Sequence, residues 1–91
     1  MGVKKVGRPM NKAKNLFVKW LKENGAEDIE VFEGARRRDG FDYYRNVDGF
    51  IDNRLITCFF MVWKGEESID YADSDNRYKG LSIEEFLQLI N

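Results

Sequence analysis

Lys4, Lys5, Arg8, Lys12, Lys14, Lys19 and Lys22 are the only charged side chains among the first 22 residues, and Arg36, Arg37 and Arg38 stand together a short way further on. Ammonium and guanidinium groups collected in this way hold phosphate oxygens through charge-assisted hydrogen bonds and release counterions as they do so. Three adjacent arginines repel one another and gain from an anionic partner. Tyr43 and Tyr44 follow the arginines, and an aromatic ring beside guanidinium groups is the usual platform for an unpaired base. Adjacent strand residues point to opposite faces, so one of the two tyrosines at most can serve in this way; Tyr44 is the candidate.

Other chemistries are poorly supplied. The chain has no histidine, which removes the commonest general base, the commonest metal ligand and Ser-His-Asp catalysis. Asp52 ahead of a strand that ends in Lys64 resembles the metal-dependent nuclease pattern of Asp followed by Asp/Glu-x-Lys, but Val62 stands where the second carboxylate is required. Asp70, Asp73 and Asp75 lack the twelve-residue loop of a calcium site. No phosphate-binding glycine loop of either common type is present. Cys58 lies inside an apolar run and reads as an inert buried thiol. The expectation is therefore no enzyme, no cofactor and no metal.

The charge is unevenly laid out. Net charge is −1, yet residues 1–22 carry +7 and residues 23–91 carry −8, with −5 of that in Gly65–Asn91. A polyanion partner for the basic end follows from this asymmetry. With a single cysteine no disulfide can form within the chain, which points to a reducing, cytoplasmic setting. Leu55–Trp63, the longest apolar run, is far shorter than the ~20 residues a bilayer requires. A length of 91 residues suits one domain.

The elements that would position these groups can be read from periodicity. Residues 1–10 read as a flexible basic arm and 11–91 as a single α+β domain. Ala13, Leu16, Phe17, Trp20 and Leu21 build one stripe of a helix over Asn11–Asn24, with Asn11 as its cap, Gly25 as its stop, and Lys12, Lys14, Lys19 and Lys22 on the opposite face. Asp28–Glu33 and Phe41–Val47 read as strands on either side of a Gly34–Gly40 loop. Asp52-Asn53 is the expected reversal and Asp48-Gly49 a bulge. Leu55–Trp63, apolar on both faces, reads as the central strand, and Lys64-Gly65 turns into a fourth strand, Glu67–Ala72. Asp73–Gly80 reads as a loop. Ser82 and Glu85 form a capping box for a last helix whose stripe is Ile83, Phe86, Leu87 and Ile90. The sum is an N-terminal helix, a four-stranded mainly antiparallel sheet and a C-terminal helix, with both helices on one sheet face.

Within the arm, Lys4-Lys5-Val6-Gly7-Arg8-Pro9 resembles part of an AT-hook, the minor-groove motif centred on Arg-Gly-Arg-Pro. The resemblance covers six residues, and Val6 replaces the first core arginine. It implies that Arg8 would lie in a narrow A·T-rich groove. The reading that follows is a small non-enzymatic nucleic-acid-binding accessory or regulatory protein. Its basic surface is made by the arm, the first helix and the Arg36–Arg38 loop, with RNA and DNA both open. The alternative is a protein-binding inhibitor or adaptor of a larger enzyme, using the acidic segment Glu66–Asp75 or an aromatic surface. Thirteen aromatic residues suit a core containing Phe17, Trp20, Phe59, Phe60 and Trp63, or a partner interface such as that of a homodimer.

Overall fold

Met10, Ala13, Phe17 and Leu21, three or four residues apart, fix one face of α1 (Arg8–Glu23) and are all buried. The computed structural model describes residues 7–33 and 40–91. The helix starts three residues before the expected Asn11, because Gly7 serves as its N-cap with a left-handed φ of 83° and Pro9 sits in the first turn, where a missing N–H costs nothing. Arg8, Pro9 and Met10, expected in the arm, are thus helical. Asn11 is not the cap; its side chain accepts a hydrogen bond from the Tyr43 hydroxyl at 2.8 Å. The C-terminal end agrees with the pattern, since Gly25 follows the C-cap Asn24 with φ 77°.

After α1 come β1 (Glu27–Phe32), β2 (Phe41–Ile51), β3 (Arg54–Trp63), β4 (Glu66–Ala72), β5 (Arg77–Leu81) and α2 (Ile83–Leu89). The described strands form one antiparallel sheet in the order β1-β2-β3-β4-β5, with β3 at its centre. Two sequence expectations change here. Arg77–Leu81 is a fifth strand and not part of a loop; its exposed, charged residues are the common dress of an edge strand and hide its pattern. β2 pairs directly with β3 through Asp48-Gly49, and the bulge expected there lies across from it in β1, where Asp28 and Ile29 stand opposite Gly49. Gly49 is there for α1: a Cβ on it would come within 3.3 Å of Leu21 Cδ1. The reversal does fall at Asp52-Asn53, both left-handed at φ 54° and 64°, as a two-residue hairpin demands. The irregularity in β2 lies instead between Phe41 and Tyr43.

Both helices cover one face of the sheet. Val47, Ile56, Cys58, Phe60, Val62, Ile69 and Tyr71 supply its buried side, and Met10, Ala13, Phe17, Leu21, Phe86 and Ile90 pack onto it from the helical layer. Phe17 is the hub, with ring centroids 5.7 Å from Phe86, 5.9 Å from Phe60 and 6.4 Å from Tyr71. The capping box of α2 is complete: Glu85 N–H donates to Ser82 Oγ at 3.0 Å and Ser82 N–H to Glu85 Oε1 at 2.8 Å. Cys58 is buried, and burial pushes its thiol far above the ordinary range, which leaves it unreactive. Among the described residues no helix is long and apolar enough to cross a membrane.

The other sheet face has no described element over it. Alternation and register put Glu30 and Phe32 of β1, Tyr44, Asn46, Asp48 and Phe50 of β2, and Leu55, Thr57, Phe59, Met61 and Trp63 of β3 on that side. Ser68, Asp70 and Ala72 of β4 and Arg77 of β5 join them. Phe59 and Trp63 are therefore not core, as their apolar strand suggested. Phe59 is half-buried and Trp63 is 40% exposed on the open face. Trp20 is also only half-buried, stacked on Phe17 at the edge of the helical layer.

Candidate nucleic-acid interface

α1 divides its cations. At about 100° per residue, Arg8, Lys12, Lys19 and Lys22 fall within an arc of about 80°. All four are exposed, on the side of α1 away from the buried stripe. Lys14 lies about 80° beyond the edge of that arc and is half-buried beside the core-facing stripe, so it does not share the outer face expected for it. Among the described residues, one acid touches the outward row: Glu23 approaches Lys19 at 4.0 Å, with both groups well exposed, a pairing that contributes little. The first turn of α1 contains no acid, so Arg8 and Lys12 oppose the helix dipole there.

Lys4, Lys5, Arg36, Arg37 and Arg38, also expected at the interface, lie outside the described residues, as does most of the segment resembling an AT-hook. The chain on either side of the arginines is defined. Glu33 pairs with Arg45 at 3.6 Å, and Gly40, with a left-handed φ of 82°, lies against the Trp63 ring, where a Cβ would sit 3.1 Å from Cη2.

The two tyrosines part company as strand geometry requires. Tyr43 faces the helices. Its hydroxyl bonds Asn11 and the Arg45 guanidinium lies 4.6 Å from its ring centroid, while burial raises the phenol pKa and Arg45 partly offsets this. Tyr44 points to the open face, half-buried between Phe41 at 5.2 Å and Phe59 at 6.1 Å. The irregularity before Tyr43 turns Phe41 to this side, where it also meets Trp63 at 5.0 Å, rather than to the Tyr43 side expected from plain alternation. Tyr44 is therefore separated by the sheet from the lysine row, and these two parts of the expected surface do not meet.

Polar groups on the open face are largely engaged with each other. Asn46 Nδ2 donates to Thr57 Oγ1 at 3.0 Å and to the Cys58 carbonyl at 3.1 Å, and the Thr57 hydroxyl donates to Asp48. Thr57, Phe59, Asp70, Ala72, Arg77 and Lys79 line a shallow hollow of about 200 Å³ near β5. Asp70 accepts the Gly80 N–H at 2.8 Å. The acidic run Glu66–Asp75 is not one surface, since alternation divides it between the two sheet faces. Asp73 accepts from the Tyr71 hydroxyl at 2.6 Å and from two backbone N–H groups at 2.8 Å, which holds its carboxyl below the usual range.

Asp52 and Lys64 occupy the turns at opposite ends of the ten-residue β3, about 30 Å apart, and cannot share a metal. Among the described residues, no group of three or more Cys, Asp or Glu side chains is placed to hold a metal ion. Comparison with protein-family models, with curated proteins and with solved structures finds no match.

Proposed function

We propose that this protein binds nucleic acid by gripping phosphates with the outer face of α1, as an accessory or regulatory factor and not as an enzyme. The observation that carries the reading is the outward row Arg8, Lys12, Lys19 and Lys22, met among the described residues by one weakly paired acid. The row is about 21 Å long on the helix axis, which matches roughly six base steps of one strand of a duplex. Contacts of this kind fix position without reading bases, so binding is weakly selective for sequence. The basic residues at 4, 5 and 36–38 would add to the same electrostatic attraction.

The test is fluorescence anisotropy with labelled single-stranded RNA, duplex RNA and A·T-rich duplex DNA at 50 and 200 mM salt. Four phosphate contacts should make affinity fall roughly 100-fold between those salts. The preferred ligand decides RNA against DNA. Absence of binding at 50 mM salt to all three ligands refutes the proposal.

A further inference from the structure

The open sheet face carries more apolar surface than an isolated sheet of this size needs. Phe32, Phe50, Leu55 and Trp63 are 37–46% exposed on it, around the half-buried Phe41, Tyr44, Phe59 and Met61. Exposed apolar groups in this number, lying on both sides of one polar row, mark a contact surface. The face does not suit a phosphate backbone, because Glu30, Asp48, Glu66 and Asp70 outnumber Arg77 and Lys79 on it. The charges at its two edges, Glu30 on β1 and Arg77 on β5, are however placed to complement each other.

The register shows how. Glu30 pairs with Asp48, Asp48 with Thr57, Thr57 with Ala72 and Ala72 with Arg77, so these five residues form one row straight across the sheet. The row begins with two acids directly opposite one another, a destabilising cross-strand pair, and ends with a cation. Among the described residues, neither Glu30 nor Arg77 is in an ion pair. A twofold axis running along β3 in the plane of contact reverses the strand order of the second sheet. It lays β1 over β5 and β3 over β3. Glu30 then faces Arg77 of the second copy, and the same pair forms again by symmetry. Leu55, Phe59, Met61 and Trp63 meet their own equivalents along the axis. Sheets packed face to face lie about 10 Å apart, a spacing that glutamate and arginine side chains bridge. The five strands cover roughly 600 Å² in projection. Side-chain relief raises this toward the ~800 Å² per partner of a stable interface.

The geometry points to a homodimer in which two copies of this chain pack their open sheet faces together, with the Glu30–Arg77 pair made twice across a twofold axis along β3. This is independent of nucleic-acid binding, which uses the opposite side of the sheet. Sedimentation equilibrium of the full chain tests it. The expected result is a concentration-dependent species of twice the 10.7 kDa chain mass. The double variant Leu55→Lys/Trp63→Lys, at two exposed positions, is expected to be monomeric with an unchanged far-UV circular dichroism spectrum. Glu30→Arg and Arg77→Glu should each weaken the dimer about tenfold, and together they should restore it. A wild-type chain that stays monomeric at several hundred micromolar overturns the proposal. So does a dimer that survives the two lysines, or a charge-reversed pair that fails to recover.

Discussion

The hydroxyl of Tyr43 donates to Asn11 Oδ1 across 2.8 Å, tying β2 to the first turns of α1 over a separation of 32 residues. The bond is half-buried and holds down the end of α1 that begins the cationic row. Tyr43→Phe keeps the ring and removes the bond, so it is expected to cost about 1 kcal/mol of stability. Urea denaturation should show a lower midpoint with an unchanged slope.

Gly7 carries a related constraint. Its φ of 83° is one that glycine adopts freely, and a Cβ added there would stand 2.6 Å from Tyr43 Cδ2. Gly7→Ala must strain the backbone and displace the ring as well. The expected loss is about 2 kcal/mol, read as a fall in thermal midpoint larger than that of Tyr43→Phe. An alanine variant as stable as wild type would contradict this cap geometry.

Stability should fall in alkali. Burial raises the Cys58 thiol above its ordinary 9.0 and the Tyr43 and Tyr71 phenols above 10.0, the Tyr71 hydrogen bond to Asp73 adding to the last. As pH passes those ordinary values the unfolded chain ionises while the folded one stays neutral. The unfolded state then binds fewer protons, and the stability present below about pH 9 is progressively lost. Cys58 alone contributes a slope of about 1.4 kcal/mol per pH unit. Denaturation at pH 8 and pH 10 measures this, and Cys58→Ala should flatten the early part of the decline.

Lys14 separates a positioned row from general positive charge. Lys12→Glu and Lys19→Glu should each weaken nucleic-acid binding several-fold and reduce the salt slope by about 0.9 for every phosphate no longer neutralised. Lys14→Glu makes the same change in net charge off the row and should weaken binding distinctly less. Equal effects at all three positions would mean that only net charge matters.

The sequence was most legible where one physical signal acted alone. Phe17 and Leu21 declare α1 by their spacing, and Ser82 with Glu85 declares α2. Asp52-Asn53 declares the central hairpin, because few other residue pairs tolerate two left-handed positions. It was least legible where a tertiary neighbour decided. Gly49 looked like a bulge residue, but the extra residue lies opposite it in β1, and its own missing side chain makes room for Leu21 on another element. Phe59 and Trp63 looked like core, since an apolar run does not show how many sheet faces are covered. β5 was hidden by its edge position. Of the candidate interface, the cations were evident from composition alone, but the separation of Lys14 from Lys12 and of Tyr44 from the helix required the packing.

Strand order in the sheet repeats strand order in the chain. Every ladder can therefore close between sequence neighbours, by successive hairpins, without waiting for a distant segment to arrive. The two helices lie at the chain ends and meet over the finished sheet, and Pro9, the single proline, stands in the first turn of α1, away from any strand. Formation of the sheet is accordingly expected to be quick and free of any proline-limited step on the scale of tens of seconds, with docking of the chain ends as the closing event.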